Sequence, residues 1–174
     1  MQLALACNRS HLYQTGANQP DDQFEEFDAP ETVEAIAQTI ASHGHAVEIL
    51  EADRTFPGNL SRGTFDCVFN IAEGFHGRCR ESLVPAVCEM LEIPYVGSDP
   101  LTMAITLDKN MAKRMASTRV AVPAGKVFSS VDQIDFSGLV FPLLVKPNTE
   151  GSSKGIRNFS RVDTIEKARE VIAW

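Results

Sequence analysis

Apolar residues recur with two different periods along this chain. Leu3-Ala4-Leu5-Ala6-Cys7, the stretch around Val47, Ile49 and Leu50, and Phe65 to Ile71 are short, nearly continuous apolar runs. Such runs predict strands buried on both faces of a parallel sheet. Between the first two, Val33, Ile36, Ala37 and Ile40 return at helical spacing, with Asp28 and Pro30 ahead of them and Gly44 behind. Those flanking residues are helix start and stop signals. A second helix is predicted from Leu83, Val84, Val87 and Leu91, with Pro85 in its first turn, where a missing N–H costs little. Ile93 to Val96 predicts a strand, and Gly97-Ser98-Asp99-Pro100 a turn that caps the next helix. Residues 8 to 29, with Asn18, Pro20, Asp21 and Asp22, are polar and aperiodic and read as one long loop. The order β-α-β-loop-β-α-β is a half-Rossmann arrangement, in which ligands bind beyond the carboxyl ends of the strands. The loop 72–80 follows a strand directly, which puts it at that edge.

The texture then changes. Met103, Ile105, Met111 and Met115 carry a single predicted helix from Leu101 to about Thr118. Val120 to Val122 and Lys126 to Phe128 read as short β pieces, and Val131 to Phe136 as a short helix. Leu143 to Pro147 predicts a strand, with Ile156 to Phe159 as its antiparallel partner across a glycine-containing loop. Asp163 and Glu166 form a capping-box pattern for a final helix carrying Ile165, Ala168 and Ile172, still running at Trp174. The fold expected is α/β: a Rossmann-like domain over residues 1–105, then a smaller α+β unit over 106–174. With no stop signal after the last helix and few strands in the second unit, the chain is expected to be the N-terminal part of a longer protein.

Composition narrows the function classes. The 174 residues carry 16 Lys plus Arg against 23 Asp plus Glu, a formal charge of -7. That balance argues against binding nucleic acid or anionic membrane through overall charge. No apolar run approaches the ~18 residues of a membrane span, and the N-terminus lacks the basic region of a signal peptide. A cytoplasmic protein is expected. Cys7, Cys67, Cys79 and Cys88 form no C-x-x-C pair; three of them read as buried small hydrophobes in a reducing compartment. Cys79 lies between Arg78 and Arg80, without a base that would make it a nucleophile.

Three segments can carry chemistry. Lys146-Pro147-Asn148-Thr149-Glu150-Gly151-Ser152-Ser153-Lys154-Gly155 offers turning glycines, two hydroxyls and a lysine near either end, a plausible cradle for nucleotide phosphates. A solvated hairpin turn is its plain alternative. It is neither a Walker A loop nor a G-x-G-x-x-G fingerprint. Lys109, in Leu107-Asp108-Lys109, reads by itself as part of a solvated helix face. Glu73-Gly74-Phe75-His76-Gly77-Arg78-Cys79-Arg80-Glu81 offers two guanidinium forks for an anion and a histidine donor. The alternative is a loop whose arginines pair with Glu73 or Glu81.

Taken in order, the H-G-R loop, Leu91-Glu92-Ile93-Pro94-Tyr95-Val96-Gly97-Ser98, Leu107-Asp108-Lys109, Val145-Lys146-Pro147 and Glu150-Gly151-Ser152-Ser153-Lys154-Gly155 resemble the D-alanine–D-alanine ligase family of the ATP-grasp superfamily. The resemblance covers roughly residues 65 to 160. It implies a pre-ATP-grasp domain followed by part of the first ATP-grasp subdomain, and an ATP- and magnesium-dependent ligase that activates a carboxylate as an acyl phosphate. By that resemblance Lys109 and Lys146 are the phosphate-binding lysines, and Glu150, Gly151, Ser152, Ser153 and Gly155 belong to the nucleotide-binding loop. Ser152 also orders the substrate end, and His76 and Arg78 approach the first amino acid. No metal ligand is expected within the chain, since the family's acidic magnesium ligands lie in its C-terminal half; the chain alone is therefore expected to be inactive. The implied partner is a small amino acid or peptide, with a homodimer left open. The segment after the first strand, Cys7-Asn8-Arg9-Ser10-His11-Leu12-Tyr13, is not the family's glycine-rich, glutamate-containing stretch. Gly77-Arg78-Cys79-Arg80-Glu81-Ser82 likewise replaces the usual G-E-D-G, so a specificity other than D-alanine is expected. A non-catalytic ATP-grasp-like binding module is the alternative.

Overall fold

The computed structural model describes residues 1–16 and 20–173; Asn18 of the polar loop and Trp174 of the last helix lie outside them. The chain divides into two units, Met1–Ile105 and Thr106–Trp174.

In the first unit, β1 (Gln2–Cys7), β2 (Ala46–Glu51), β3 (Cys67–Asn70) and β4 (Tyr95–Val96) form one sheet in the order β2-β1-β3-β4. All three pairings are parallel. The helices α1 (Pro30–Ser42), α2 (Phe56–Arg62) and α3 (Leu83–Met90) make the crossovers. β1 explains why both faces must be covered. Its Ala4 and Ala6 join Leu50, Phe56, Leu60, Val68 and Val84 in one core cluster, while Leu5 and Cys7 join Val33 in another. Alternate residues of one strand thus feed two cores. Fully burying a side chain such as Leu5 or Leu60 contributes about 1.5–3 kcal/mol.

The α/β expectation with a parallel sheet holds, and the differences are local. α2 follows Thr55 and Asp53, whose carboxylate accepts the Thr55 N–H at 2.7 Å; Pro57 and Gly58 in so short a helix hide its periodicity. The polar stretch 8–29 is irregular yet packed. Tyr13, Phe24, Phe27 and Phe75 form a ring cluster with centroids 4.6 to 5.5 Å apart. The first helix starts after Ala29, with Asp28 engaged elsewhere.

α4 (Pro100–Leu107) leads into the second unit, where α5 (Lys109–Ala116), β5 (Leu143–Leu144), β6 (Arg161–Val162) and α6 (Ile165–Ala173) follow. The single helix expected over 101–118 is broken at Asp108. Its backbone is extended (φ -80°, ψ 102°), and its carboxylate accepts the N–H groups of Asn110 and Met111 at 3.0 and 2.9 Å. A buried N-cap of this kind starts a new helix. No strand forms over 120–122 or 126–128, and of 131–136 only Val131–Gln133 coils, as a 3-10 turn. The partner of β5 is not 156–159. Residues Asn158–Ser160 make a 3-10 turn, and the antiparallel pairing is Leu143 with Val162 and Leu144 with Arg161. Thr164, whose hydroxyl accepts the Lys167 N–H at 3.2 Å, caps the last helix in place of Asp163, which pairs with Arg161.

Candidate functional site

Parallel strands in the order 2-1-3-4 leave a crevice beyond the carboxyl ends of β1 and β3, because the chain departs from β1 to one side and from β3 to the other. Asn8 stands at that point, one residue past β1, and is only 1% exposed. Its side-chain oxygen accepts the N–H groups of Glu73 and Gly74 at 3.0 and 2.8 Å, its amide donates to Ala52, and its carbonyl accepts the Asp28 N–H at 2.9 Å. One buried side chain therefore fixes the loop after β3. Gly74 has φ +75°, and a Cβ there would lie 2.6 Å from the Arg80 carbonyl, so the close return of this loop requires glycine.

Arg80 is buried under that return, and its guanidinium meets the Glu26 carboxylate at 2.6 Å and Glu81 at 3.9 Å. Oxygens of Glu26, Glu73 and Glu81 lie within 4.8 Å of one another. Burial raises the Glu73 pKa to about 7, the carboxylates of Glu81 and Glu26 add to the rise, and Arg80 opposes it. Burial also raises the pKa of Asp28. A cavity of about 330 Å³ opens here, with Asp28, Asn70, Glu73 and Glu81 as its polar side and Ile36, Ile71 and Met103 among its apolar residues.

His76 and Arg78 are exposed at the tip of the same loop, and neither lines this cavity. The two alternatives for the loop's arginines thus divide: Arg80 is buried and paired with Glu26 and Glu81, as the second expects, while Arg78 is exposed. Cys79 is exposed, while burial pushes Cys7 up to about 12 and Cys88 up to about 11, which keeps both as thiols. Cys67 is half-buried. Sequence reasoning missed Asn8 and Glu26. The available signal for Asn8 is its place, a polar residue directly after a buried strand.

In the second unit the structure brings Lys109 together with the loop 148–155. The Lys109 N–H donates to the Asn148 carbonyl at 3.0 Å, and the Asn110 N–H to the Asn148 side-chain oxygen at 3.0 Å. The Lys109 ammonium donates to the Glu150 carbonyl. Glu150 also holds Lys154 at 2.9 Å, so the charge of Lys154 is partly offset within the loop. Ser152, Ser153 and Gly155 have φ of 44°, 64° and 71°. A Cβ on Gly155 would lie 2.5 Å from the Pro147 ring, so glycine lets the two ends of the loop touch. Ser152 and Ser153 are exposed, as is Lys146, while Gly151 is half-buried.

No family model matches the chain. It is 33% identical over 141 residues to a D-alanine–D-alanine ligase of Aquifex aeolicus, a match that takes in 80% of this chain and 47% of the relative. A D-alanine–D-alanine ligase of Caulobacter vibrioides is 40% identical over 123 residues, 70% of this chain and 37% of that protein. The chain is D-alanine–D-alanine ligase-like. The crystal structure of the Bacillus anthracis D-alanine–D-alanine ligase complexed with ATP matches the ligase-like chain with a TM-score of 0.65 at 19% identity, over 99% of this chain and 53% of that one. At that identity the likeness speaks for the α/β fold. The ligase-like chain spans about half the length of the curated relatives it matches. Among the described residues no helix is long and apolar enough to cross a membrane.

Proposed function

We propose that this chain belongs to a cytoplasmic, ATP-dependent carboxylate–amine ligase acting on an amino acid or small peptide, with residues 1–105 as its pre-ATP-grasp domain and 106–174 as part of its first ATP-grasp subdomain. The observation that carries the reading is the junction of Lys109 with the loop 148–155. A lysine at the head of α5 donates to the carbonyl of Glu150. The next three loop residues are Gly151 and two exposed, left-handed serines. This arrangement fits a polyphosphate. Ser152 and Ser153 are the central residues of a turn that the Lys154 N–H closes on the Gly151 carbonyl at 2.8 Å; their hydroxyls offer donors at its tip, and Lys109 and Lys146 add positive charge.

Phosphoryl transfer depends on positioning and charge stabilisation more than on covalent help from the protein. ATP with magnesium would supply the phosphoryl group that converts a substrate carboxylate to an acyl phosphate. In this chain Lys109 and Lys146 hold phosphate oxygens, Gly151 to Ser153 close over them, and Ser152 orients the substrate end. The family resemblance gives His76 and Arg78, exposed on the loop after β3, a role toward the first amino acid.

The test is nucleotide binding and ADP release by the intact gene product. Lys109→Ala and Lys146→Ala are each expected to weaken a non-hydrolysable ATP analogue by about tenfold or more, the size of one charge-assisted contact. ADP release is expected only with a matching amino acid or peptide. Unchanged nucleotide affinity in both variants refutes the site. Tight nucleotide binding with no ADP release across a panel of D- and L-amino acids and dipeptides favours a binding module instead.

A further inference from the structure

The lining of the cavity beyond β1 and β3 argues against an anion there. The cavity's volume of about 330 Å³ falls at the small end of the range for ligand pockets, about 300–1,000 Å³. Asp28, Glu73 and Glu81 line it, and among the described residues no Lys, Arg or His does. The Arg80 guanidinium is 5% exposed and already held by Glu26 at 2.6 Å and Glu81 at 3.9 Å. Ile36, Ile71 and Met103 supply apolar surface beside the carboxyls. A concave site that mixes apolar walls with a few convergent polar groups is the ordinary form of a small-molecule pocket.

We propose that this cavity receives the cationic end of a substrate, an ammonium or guanidinium group on an apolar stem with no carboxylate beside the charge. The apolar side takes the stem and the carboxyls take the charge. An α-ammonium group fits poorly, because the carboxylate on the same carbon would be brought against Asp28, Glu73 and Glu81, and the cation beside them, Arg80, is buried and already paired with Glu26 and Glu81. The cationic side chain of an amino acid or peptide, or a simple amine, fits. This names a substrate class for the ligase reading and rests on that reading only for what happens after the cation is bound.

The proton balance of the site follows. Glu73 faces Glu81 and Asp28 in the cavity wall, with Glu26 and Arg80 behind it. Near neutral pH it is half protonated, so an arriving cation shifts it to the carboxylate and a proton leaves to solvent. Affinity therefore rises with pH through about 7.

The test is calorimetry on the intact gene product without nucleotide, using n-butylammonium, n-butylguanidinium, D-alanine and L-alanine. Either butyl cation is expected to bind, about tenfold tighter at pH 8 than at pH 6, the ratio that one carboxyl of pKa near 7 gives. The heat is expected to vary with the buffer's ionisation enthalpy, which reports the released proton. Glu73→Gln is expected to weaken binding and remove the pH dependence; Asp28→Asn, a second wall variant, is expected to weaken it while keeping the pH dependence. Binding of either alanine as tight as the butyl cations overturns the proposal, as does the absence of cation binding. Unchanged cation affinity in both variants, each still folded by circular dichroism, also overturns it. Because nucleotide is absent, such a failure leaves the Lys109 and Lys146 reading standing, and failure of that reading leaves this one standing.

Discussion

Asn8 and Asn148 do the same task in the two units from opposite ends. Asn8, 1% exposed, sits on the frame, at the end of a strand buried on both faces, and a loop hangs from its side-chain oxygen through the Glu73 and Gly74 N–H groups. Asn148 is half-buried and sits on the loop, reaching back to the N–H of Asn110 at the head of α5. The first loop is placed by the sheet and stays in place while the core stands. The second is placed by contacts within a unit whose strands are two residues long. A substrate pocket benefits from the first arrangement, and a segment that must open and close over a nucleotide benefits from the second.

The contrast breaks most sharply at Arg80. Arg80→Ala leaves the Glu26 carboxylate, 2% exposed, without its 2.6 Å partner, and is expected to cost about 3–5 kcal/mol by urea denaturation. A loss under about 1 kcal/mol would show that the first unit is not held by its buried polar contacts. The two asparagines sharpen the comparison directly. Asn8→Ala strands two N–H groups in a buried place and is expected to cost about 2–3 kcal/mol, whereas Asn148→Ala is expected to cost about 1 kcal/mol or less. Amide exchange should show faster opening around residues 73–74 for the first variant and around 109–110 for the second. Equal costs would erase the distinction.

The smallest effect is the pH response of Glu73. Its folded pKa of about 7 lies above the ordinary 4.5, so between those values the folded chain holds a proton that the unfolded chain has released. Stability therefore falls as pH rises through that window. For a group only half-buried, solvent screening reduces the effect to about 1 kcal/mol. Denaturation midpoints of the protein and of Glu73→Gln between pH 4.5 and 7.5 measure it, and the variant should lack the decline attributable to this carboxyl.

The sheet was legible because a strand such as Leu3 to Cys7, buried on both faces, leaves a continuous apolar run that little else produces. Asp108 was harder. Its role as a cap depends on a backbone turn that Leu107 and Lys109 on either side do not announce, and helical spacing continues across it. The pairing of β5 with Arg161–Val162 was shifted because two-residue strands carry no alternation to read. At the candidate sites, the loop 148–155 stood out by composition and by resemblance, and Lys109 by resemblance alone. Glu26 did not, since its meeting with Arg80 crosses 54 residues of chain and only the packed fold brings them together. His76 and Arg78 were visible as residue types, but their exposure was not.

Ser152 and Ser153 carry a consequence for anyone redesigning this loop. Left-handed backbone at a residue with a Cβ costs roughly 1–2 kcal/mol, and here two neighbours bear that cost side by side where glycine would not. Swapping both for glycine is thus a route to a calmer resting hairpin, but one stripped of its two hydroxyls. The two hydroxyls stand where the main chain itself prefers glycine.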